Sequence, residues 1–306
     1  MAVEMPTIDI LAQYIESLAK NIPNESIPDE IDVILGGGAF NGYITIGVGM
    51  FLVELERQGK TKVVRISGVS AGALVAICMF ARRFACVEKL FGDMRAAFRK
   101  TGDLSGYSLL YVNALQDTLA ETDVAEMNDR VFISYNDIDS YEFTVQSSFE
   151  SAEQLLETLN RSTYIPLLTD GSGCLDNKYV DGIVPYMFED NLRPTIVVDI
   201  LGINQLSTVF STCGEDNPHS RILEGVSSIS NLLMKRQPGI CSWRDDWGVR
   251  EHIWFRFVYV VVMTAFVIVN LAKKSSVVNT LIASNLVKAL KTCLMSLGRD
   301  LLRTCH

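Results

Sequence analysis

The chain has 306 residues, 48% hydrophobic and 21% charged, so it is long and apolar enough to bury a sizeable core. Its net charge of −9 argues against nucleic-acid binding, because a surface that binds phosphates must be basic. The seven cysteines are scattered without a C-x-x-C pair, and no metal or cofactor is indicated. These features predict a globular, enzyme-sized protein of a reducing, intracellular compartment.

Helical and strand patterns follow each other along the chain. An amphipathic helix near 8–19 precedes two buried strands near 32–35 and 62–67, each followed by a helical pattern, as parallel sheets require. Three further β-prone runs lie at 131–135, 141–146 and 194–201. The polar residues 136–140 between the first two runs predict a hairpin. This order of elements predicts an α/β fold.

The most informative segment is the G-x-S-x-G pentapeptide from Gly68 to Gly72, where an apolar run gives way to a small-residue helical pattern. A serine hydroxyl becomes a useful nucleophile when a sharp strand-to-helix turn aims it at an acyl carbon and a base. The flanking glycines remove the Cβ clashes that such a turn would create. The pentapeptide therefore predicts Ser70 as a nucleophile.

A glycine-rich loop at 36–42 follows the first strand and precedes a helical run. Unpaired N–H groups at a helix N-terminus suit either a phosphate or the oxyanion of an acyl intermediate. A P-loop would continue with lysine and a hydroxyl residue, where this chain has Tyr43 and Ile44, so the oxyanion function is favoured. The predicted N–H donors are Gly37, Gly38 and Ala39, between the motif glycines Gly36 and Gly42.

A third motif, Asp181-Gly182, ends a short β-prone run downstream of the serine. Asp-Gly pairs are mostly turn signals, but an aspartate here could act as the base for Ser70.

In this order the three motifs resemble those of the patatin-like phospholipases, from about Asp32 to about Gly202. The resemblance implies a three-layer sandwich with a mainly parallel central sheet. It also implies that Ser70 is the nucleophile and that Asp181 accepts its proton, as a dyad that replaces the histidine-containing triad. The chain departs from the family pattern at Ala39, Asn41 and Ile183, where relatives usually have glycine, a basic residue, and glycine or alanine.

Two alternatives to the dyad remain open. An ordinary α/β-hydrolase also has this elbow, so Ser70, Asp181 and His219 could form a triad, although His219 lies in a polar, turn-like stretch. The other alternative is a catalytically inactive, membrane-bound, lipid-binding relative that has kept the fold.

The C-terminal part has a different composition from the rest. From Arg256 to the end there are seven basic residues and one acid, a charge of +6, which leaves −15 for the preceding residues. Within it, residues 253–272 form an apolar stretch, a candidate single transmembrane segment, and 278–301 has the pattern of a basic amphipathic helix. A buried core helix or a strand is the alternative for the apolar stretch, since valine and isoleucine dominate it.

We therefore expect a membrane-associated serine acyl hydrolase that cleaves fatty-acyl esters of phospholipids or neutral lipids, with membrane lipid as its partner. The expected organisation is a helical lead-in at 1–30, a catalytic domain at 31–210, a linker or extension at 211–252, and an apolar, basic membrane-associated tail at 253–306.

Overall fold

The computed structural model describes residues 7–101, 121–200, 218–236 and 239–274, with the single positions 104, 106, 114, 115 and 119. The helices of these residues are α1 (Thr7–Lys20), α2 (Gly42–Arg57), α3 (Ala71–Ala81), α4 (Ala85–Thr101), α5 (Glu121–Met127), α6 (Ala152–Thr163), α7 (His219–Leu233) and α8 (Val249–Lys274). The strands are β1 (Glu30–Leu35), β2 (Lys62–Gly68), β3 (Val131–Asp137), β4 (Glu142–Gln146), β5 (Tyr179–Asp181), β6 (Thr195–Val198) and β7 (Cys241–Trp243).

The strands form one seven-stranded sheet in the order β4-β3-β2-β1-β6-β7, with β5 paired to β3. β1 runs parallel to β2 and β6, and β2 runs parallel to β3. β4, β5 and β7 are antiparallel to their neighbours. The α/β class is confirmed, but the prediction of a mainly parallel sheet is wrong. The sheet is mixed because a tight hairpin returns β4 along β3, and because the three-residue strands β5 and β7 add in the antiparallel direction.

The predicted hairpin is present, with one difference. β3 extends to Asp137, so Asn136 lies in the strand and is fully buried instead of belonging to the turn. Its backbone pairs with Phe143 of β4 on one side and with Val180 of β5 on the other, which draws a polar residue into the sheet.

Helices α2 and α7 cross at very short range. A Cβ on Gly47 would lie 2.0 Å from the carbonyl oxygen of Ile222, and a Cβ on Gly225 would lie 2.0 Å from that of Ile44. The two glycines therefore allow the two backbones to touch. The segment at 211–252, expected as a linker or extension, thus contains a helix packed on α2 and the sheet strand β7. Positions 211–217, 237 and 238 lie outside the described residues.

Helix α8 covers the apolar stretch expected at 253–272. Among the described residues it is the one helix long and apolar enough to cross a membrane. One face packs on the domain through residues that include Val258, Met263 and Phe266, while Phe257 and Val260 on the other side are more than half exposed. The predicted amphipathic stretch at 278–301 lies outside the described residues.

Candidate functional site

Ser70 occupies a strained turn between β2 and α3. Its φ of 54° and ψ of −126° lie in a region that residues with a side chain rarely adopt, and only 8% of its surface is exposed. The elbow glycines explain how the turn fits. A Cβ on Gly72 would lie 2.4 Å from the carbonyl oxygen of Leu35, and a Cβ on Gly68 would lie 2.7 Å from the Cα of Ala73. Without side chains at these positions, α3 can start directly against the end of β1.

The register of the sheet brings Asp181 to the same place. β2 ends where Gly68 pairs with Ile133 of β3, and the chain then turns away at Ser70. Beyond this point β5 pairs with the edge of β3 that β2 has left, because β4 occupies the other edge. In this pairing Asp181 of β5 lies opposite Tyr135 of β3. Asp181 therefore lies two residues beyond Gly68 along β3, about 7 Å at the usual strand rise. The serine and the aspartate, distant in sequence, become neighbours.

The two candidate catalytic side chains are neighbours in the folded structure. The carboxylate of Asp181 interacts with the Ser70 side chain, and its Oδ1 accepts a hydrogen bond of 2.7 Å from the backbone N–H of Ile183. Burial raises the pKa of Asp181 to about 7, although its interactions with Ser70 and with the N–H of Ile183 act in the opposite direction. A carboxylate with this pKa is a much stronger base than an exposed one, and it can take a proton near neutral pH.

The C-terminal end of α6 holds both residues. The Oγ of Ser162 accepts a 2.9 Å hydrogen bond from the backbone N–H of Ser70. Two residues later, the carbonyl of Tyr164 accepts a 2.8 Å hydrogen bond from the N–H of Asp181. One short segment thus fixes the nucleophile and the carboxylate relative to each other. Because the N–H of Ser70 is bonded to Ser162, it is not a donor for an oxyanion.

The glycine-rich loop lies directly beside Ser70. A Cβ on Gly37 would be 3.1 Å from the Cβ of Ser70, and Gly38 packs against Ile200. Among the described residues, none accepts a hydrogen bond from the N–H of Gly37 or Gly38, whereas the N–H of Gly36 is bonded to the carbonyl of Val198. Gly37 and Gly38 are therefore available donors next to the nucleophile, and the N–H of Ala39 likewise has no acceptor among the described residues.

The structure also shows how the remaining loop residues Ala39, Asn41 and Gly42 are held. Ala39 adopts a positive φ of 44° and starts a short 3₁₀ turn. Gly42 begins α2, where a Cβ would collide with the ring of Phe91 at 2.2 Å. Asn41 is buried, and its side-chain oxygen accepts a 3.3 Å hydrogen bond from Arg221 of α7. A basic side chain from a distant helix thus reaches the position where the loop itself has no basic residue.

Ser70 faces a narrow apolar pocket. The pocket is lined mostly by aliphatic and aromatic side chains from the glycine-rich loop, α4 and the segment after α6. These residues are Ala39, Phe40, Ser70, Ala71, Phe91, Met94, Leu104, Thr163, Ile165 and Leu168. Such walls offer few hydrogen-bonding groups and suit a hydrocarbon chain better than a polar substrate.

His219 contacts α4 and is not among the described groups that interact with Asp181. It begins α7, and its Nδ1 is 3.8 Å from a carboxylate oxygen of Glu88 on α4. Within the described residues, the carboxylate of Asp181 interacts with Ser70 and Ile183 instead. The structure therefore brings together Ser70, Asp181, Gly37 and Gly38, but not His219.

Sequence reasoning missed the residues that support the site. They are Ser162 and Tyr164, which hold the pair, and Ser134 and Asn136, which hold the turn after β5. The Oγ of Ser134 donates a 2.9 Å hydrogen bond to the carbonyl of Val184, and the side-chain amide of Asn136 donates a 2.8 Å hydrogen bond to the carbonyl of Asp181. The two residues lie on one face of β3 because they are two positions apart, but this spacing gains significance only once the strand is known to extend to Asp137.

In the part of the chain that the structure describes, no group of three or more metal-ligating side chains comes together. The chain matches no model of a known protein family, and the search of curated proteins likewise finds no match.

Proposed function

We propose that this protein is a serine acyl hydrolase of the patatin-like type, which cleaves fatty-acyl esters of phospholipids or neutral lipids with a Ser70-Asp181 dyad. The observation that carries the proposal is a buried carboxylate with a pKa of about 7 beside a serine on a strained elbow. The adjacent N–H groups of Gly37 and Gly38 and the apolar lining of the pocket support the proposal.

The reaction takes place in two steps, each through a tetrahedral intermediate. Asp181 accepts the proton of Ser70 as Oγ attacks the ester carbonyl, and the N–H groups of Gly37 and Gly38 stabilise the oxyanion. When the intermediate collapses, the C–O bond to the alcohol breaks and Asp181 returns the proton to the leaving oxygen. Water, deprotonated by Asp181, then attacks the acyl-enzyme. In the second collapse the bond between the acyl carbon and Oγ of Ser70 breaks, Asp181 returns the proton to Oγ, and the fatty acid is released.

Membrane lipid is the proposed substrate source. The pocket beside Ser70 has the apolar lining that an acyl chain requires. The outer face of α8, which includes Phe257, Val260 and Leu271, is an apolar surface that lipid would cover. The basic residues at the end of α8, Lys273 and Lys274, and those that follow it in sequence, such as Lys288 and Lys291, favour an anionic membrane.

The proposal is tested by measuring the release of labelled fatty acid from vesicles of mixed phospholipid and triacylglycerol by purified wild-type protein and Ser70→Ala. The proposal expects release by the wild type and background release by the variant. Equal background from both proteins would contradict it and favour the non-catalytic lipid-binding alternative. Covalent labelling of Ser70 by a fluorophosphonate provides an independent readout, since only an activated serine reacts.

The triad alternative makes an opposite prediction about one residue. If His219 were the general base, His219→Ala would be as damaging as Ser70→Ala. With Asp181 as the base, His219→Ala keeps activity within about twofold, because the imidazole lies against Glu88.

A further inference from the structure

Helix α8 makes a polar contact that its apolar sequence does not predict. The hydroxyl of Tyr259 donates a 2.9 Å hydrogen bond to the side-chain oxygen of Asn136. The amide nitrogen of the same Asn136 donates a 2.8 Å hydrogen bond to the backbone carbonyl of Asp181. Asn136 is fully buried, so Tyr259 satisfies an oxygen that has no access to water. A continuous chain of two hydrogen bonds thus connects α8 to the backbone of Asp181.

The same helix also contacts the residue that follows the Asp-Gly pair. Ile183 has a positive φ of 67°, a conformation that β-branched residues rarely adopt. Its side chain is buried in a cluster with Met263 and other apolar residues of α8. Its backbone N–H donates the 2.7 Å hydrogen bond to the Asp181 carboxylate. Packing by α8 therefore holds a strained residue whose N–H orients the carboxylate.

These two connections are independent of each other. One runs through Asn136 to the main chain of Asp181, and the other runs through Ile183 to its side chain. Both end on α8, and both bear on the distance and direction between the carboxylate and Ser70. A helix that served only as an attachment to lipid would need neither contact.

We propose that Tyr259 is a positioning residue for the reaction, acting through Asn136 to hold Asp181 in line with Ser70, so that α8 is part of the catalytic domain. This proposal rests on the proposed function, because it assigns a role toward the Ser70-Asp181 dyad. Tyr259 acts indirectly, because Asn136 lies between its hydroxyl and the backbone of Asp181.

The test is the rate at which a fluorophosphonate labels Ser70 in the full-length protein, measured for wild type and Tyr259→Phe. The amplitude of labelling counts folded sites, and the rate constant reports the reactivity of Ser70 in each of them. A merely structural role would lower the amplitude and leave the rate constant unchanged. Positioning predicts an unchanged amplitude and a rate constant lower by about tenfold. This is less than the ~100-fold that a full ~1 Å misplacement of a catalytic group can cost, because Tyr259 acts on Asp181 only through Asn136.

Two matched variants control for the loss of a hydroxyl. Thr264→Val removes a hydroxyl from the same helix, where it donates a hydrogen bond to the carbonyl of Val260, and Tyr141→Phe removes the same phenol oxygen from an exposed ring. Both should keep the wild-type rate constant.

Hydrolysis of a soluble short-chain ester provides the second readout. Tyr259→Phe should lower kcat by a similar factor and leave KM within about twofold, since the acyl pocket is intact. A Tyr259→Phe rate constant equal to the wild-type value overturns the positioning role at any amplitude. Failure of the proposed function itself looks different, because the wild type would then neither label nor hydrolyse.

Discussion

The Oγ of Ser162 accepts a hydrogen bond of 2.9 Å from the backbone N–H of Ser70, and both residues are buried. The bond holds the strained elbow in place. It also leaves the stabilisation of an oxyanion to other N–H groups.

Ser162→Ala should therefore reduce both stability and activity. The variant leaves the N–H of Ser70 without its acceptor, and we expect a loss of about 1–3 kcal/mol in the free energy of unfolding. A fall of about tenfold in kcat should accompany it, as the elbow relaxes. Ser228→Ala is the matched control, because the Oγ of Ser228 accepts a 3.2 Å hydrogen bond from the N–H of Cys241. Urea unfolding and ester hydrolysis of both variants check the prediction. Equal activity losses would show that Ser162 has no special connection to the site.

Gly182 should tolerate no side chain. A Cβ there would lie 2.4 Å from the carbonyl oxygen of Ser134 and 2.7 Å from Cγ2 of Val69, so Gly182→Ala must displace the turn that holds Asp181. We expect kcat/KM to fall by roughly 100-fold or more. In Gly92→Ala the new Cβ meets only the Tyr43 hydroxyl, at 3.4 Å, and this control should stay fully active. A Gly182→Ala enzyme with wild-type kcat/KM would contradict the geometry of this turn.

The pH dependence of kcat/KM should report Asp181. The base must be ionised to accept the proton of Ser70, and burial raises its pKa to about 7. Activity should therefore rise about tenfold per pH unit below pH 6 and level off above about pH 7.5. Activity rises with pH, and does not fall, because the protonated carboxyl that is present at low pH cannot act as a base. Rates on zwitterionic vesicles between pH 5 and 9 check this. A midpoint near pH 4, the value of an exposed carboxyl, would show that Asp181 is not the buried base.

The outer face of α8 should control membrane binding. Phe257 is 55% exposed, and Phe257→Glu puts a charge where we propose lipid contact. Burial of a phenylalanine side chain is worth about 1.5–3 kcal/mol, so the partition coefficient onto anionic vesicles should fall at least tenfold. Leu192→Glu is the control, because Leu192 is 72% exposed but precedes β6, at the opposite end of the sheet from Ser70. Flotation of both variants with vesicles checks the difference. If they float equally, lipid contacts another surface.

Much of the site could be predicted from local sequence. The elbow at Ser70 and the loop before α2 each depend on a few consecutive residues, and glycines at fixed offsets mark the close approaches. The hairpin formed by β3 and β4 was also predictable, since a polar turn separates two β-prone runs.

The parts that could not be predicted depend on register and on distant partners. Nothing local indicates that β5 adds antiparallel to β3, yet this pairing brings Asp181 beside Ser70. The contact between Tyr259 and Asn136 joins residues 123 positions apart. The crossing of α2 and α7 through Gly47 and Gly225 likewise combines two unremarkable helical glycines into one contact. Each of these contacts joins segments that are distant in sequence, so it can be recognised only in the folded structure.

The central claim is that Ser70 and Asp181 act as one catalytic unit. The most direct test compares kcat for ester hydrolysis in Ser70→Ala, Asp181→Asn and the double variant. Residues that act as a unit give losses that do not add, so each single variant should lose nearly all activity and the double variant should be no worse than Ser70→Ala. Independent losses whose free energies add in the double variant would contradict the dyad.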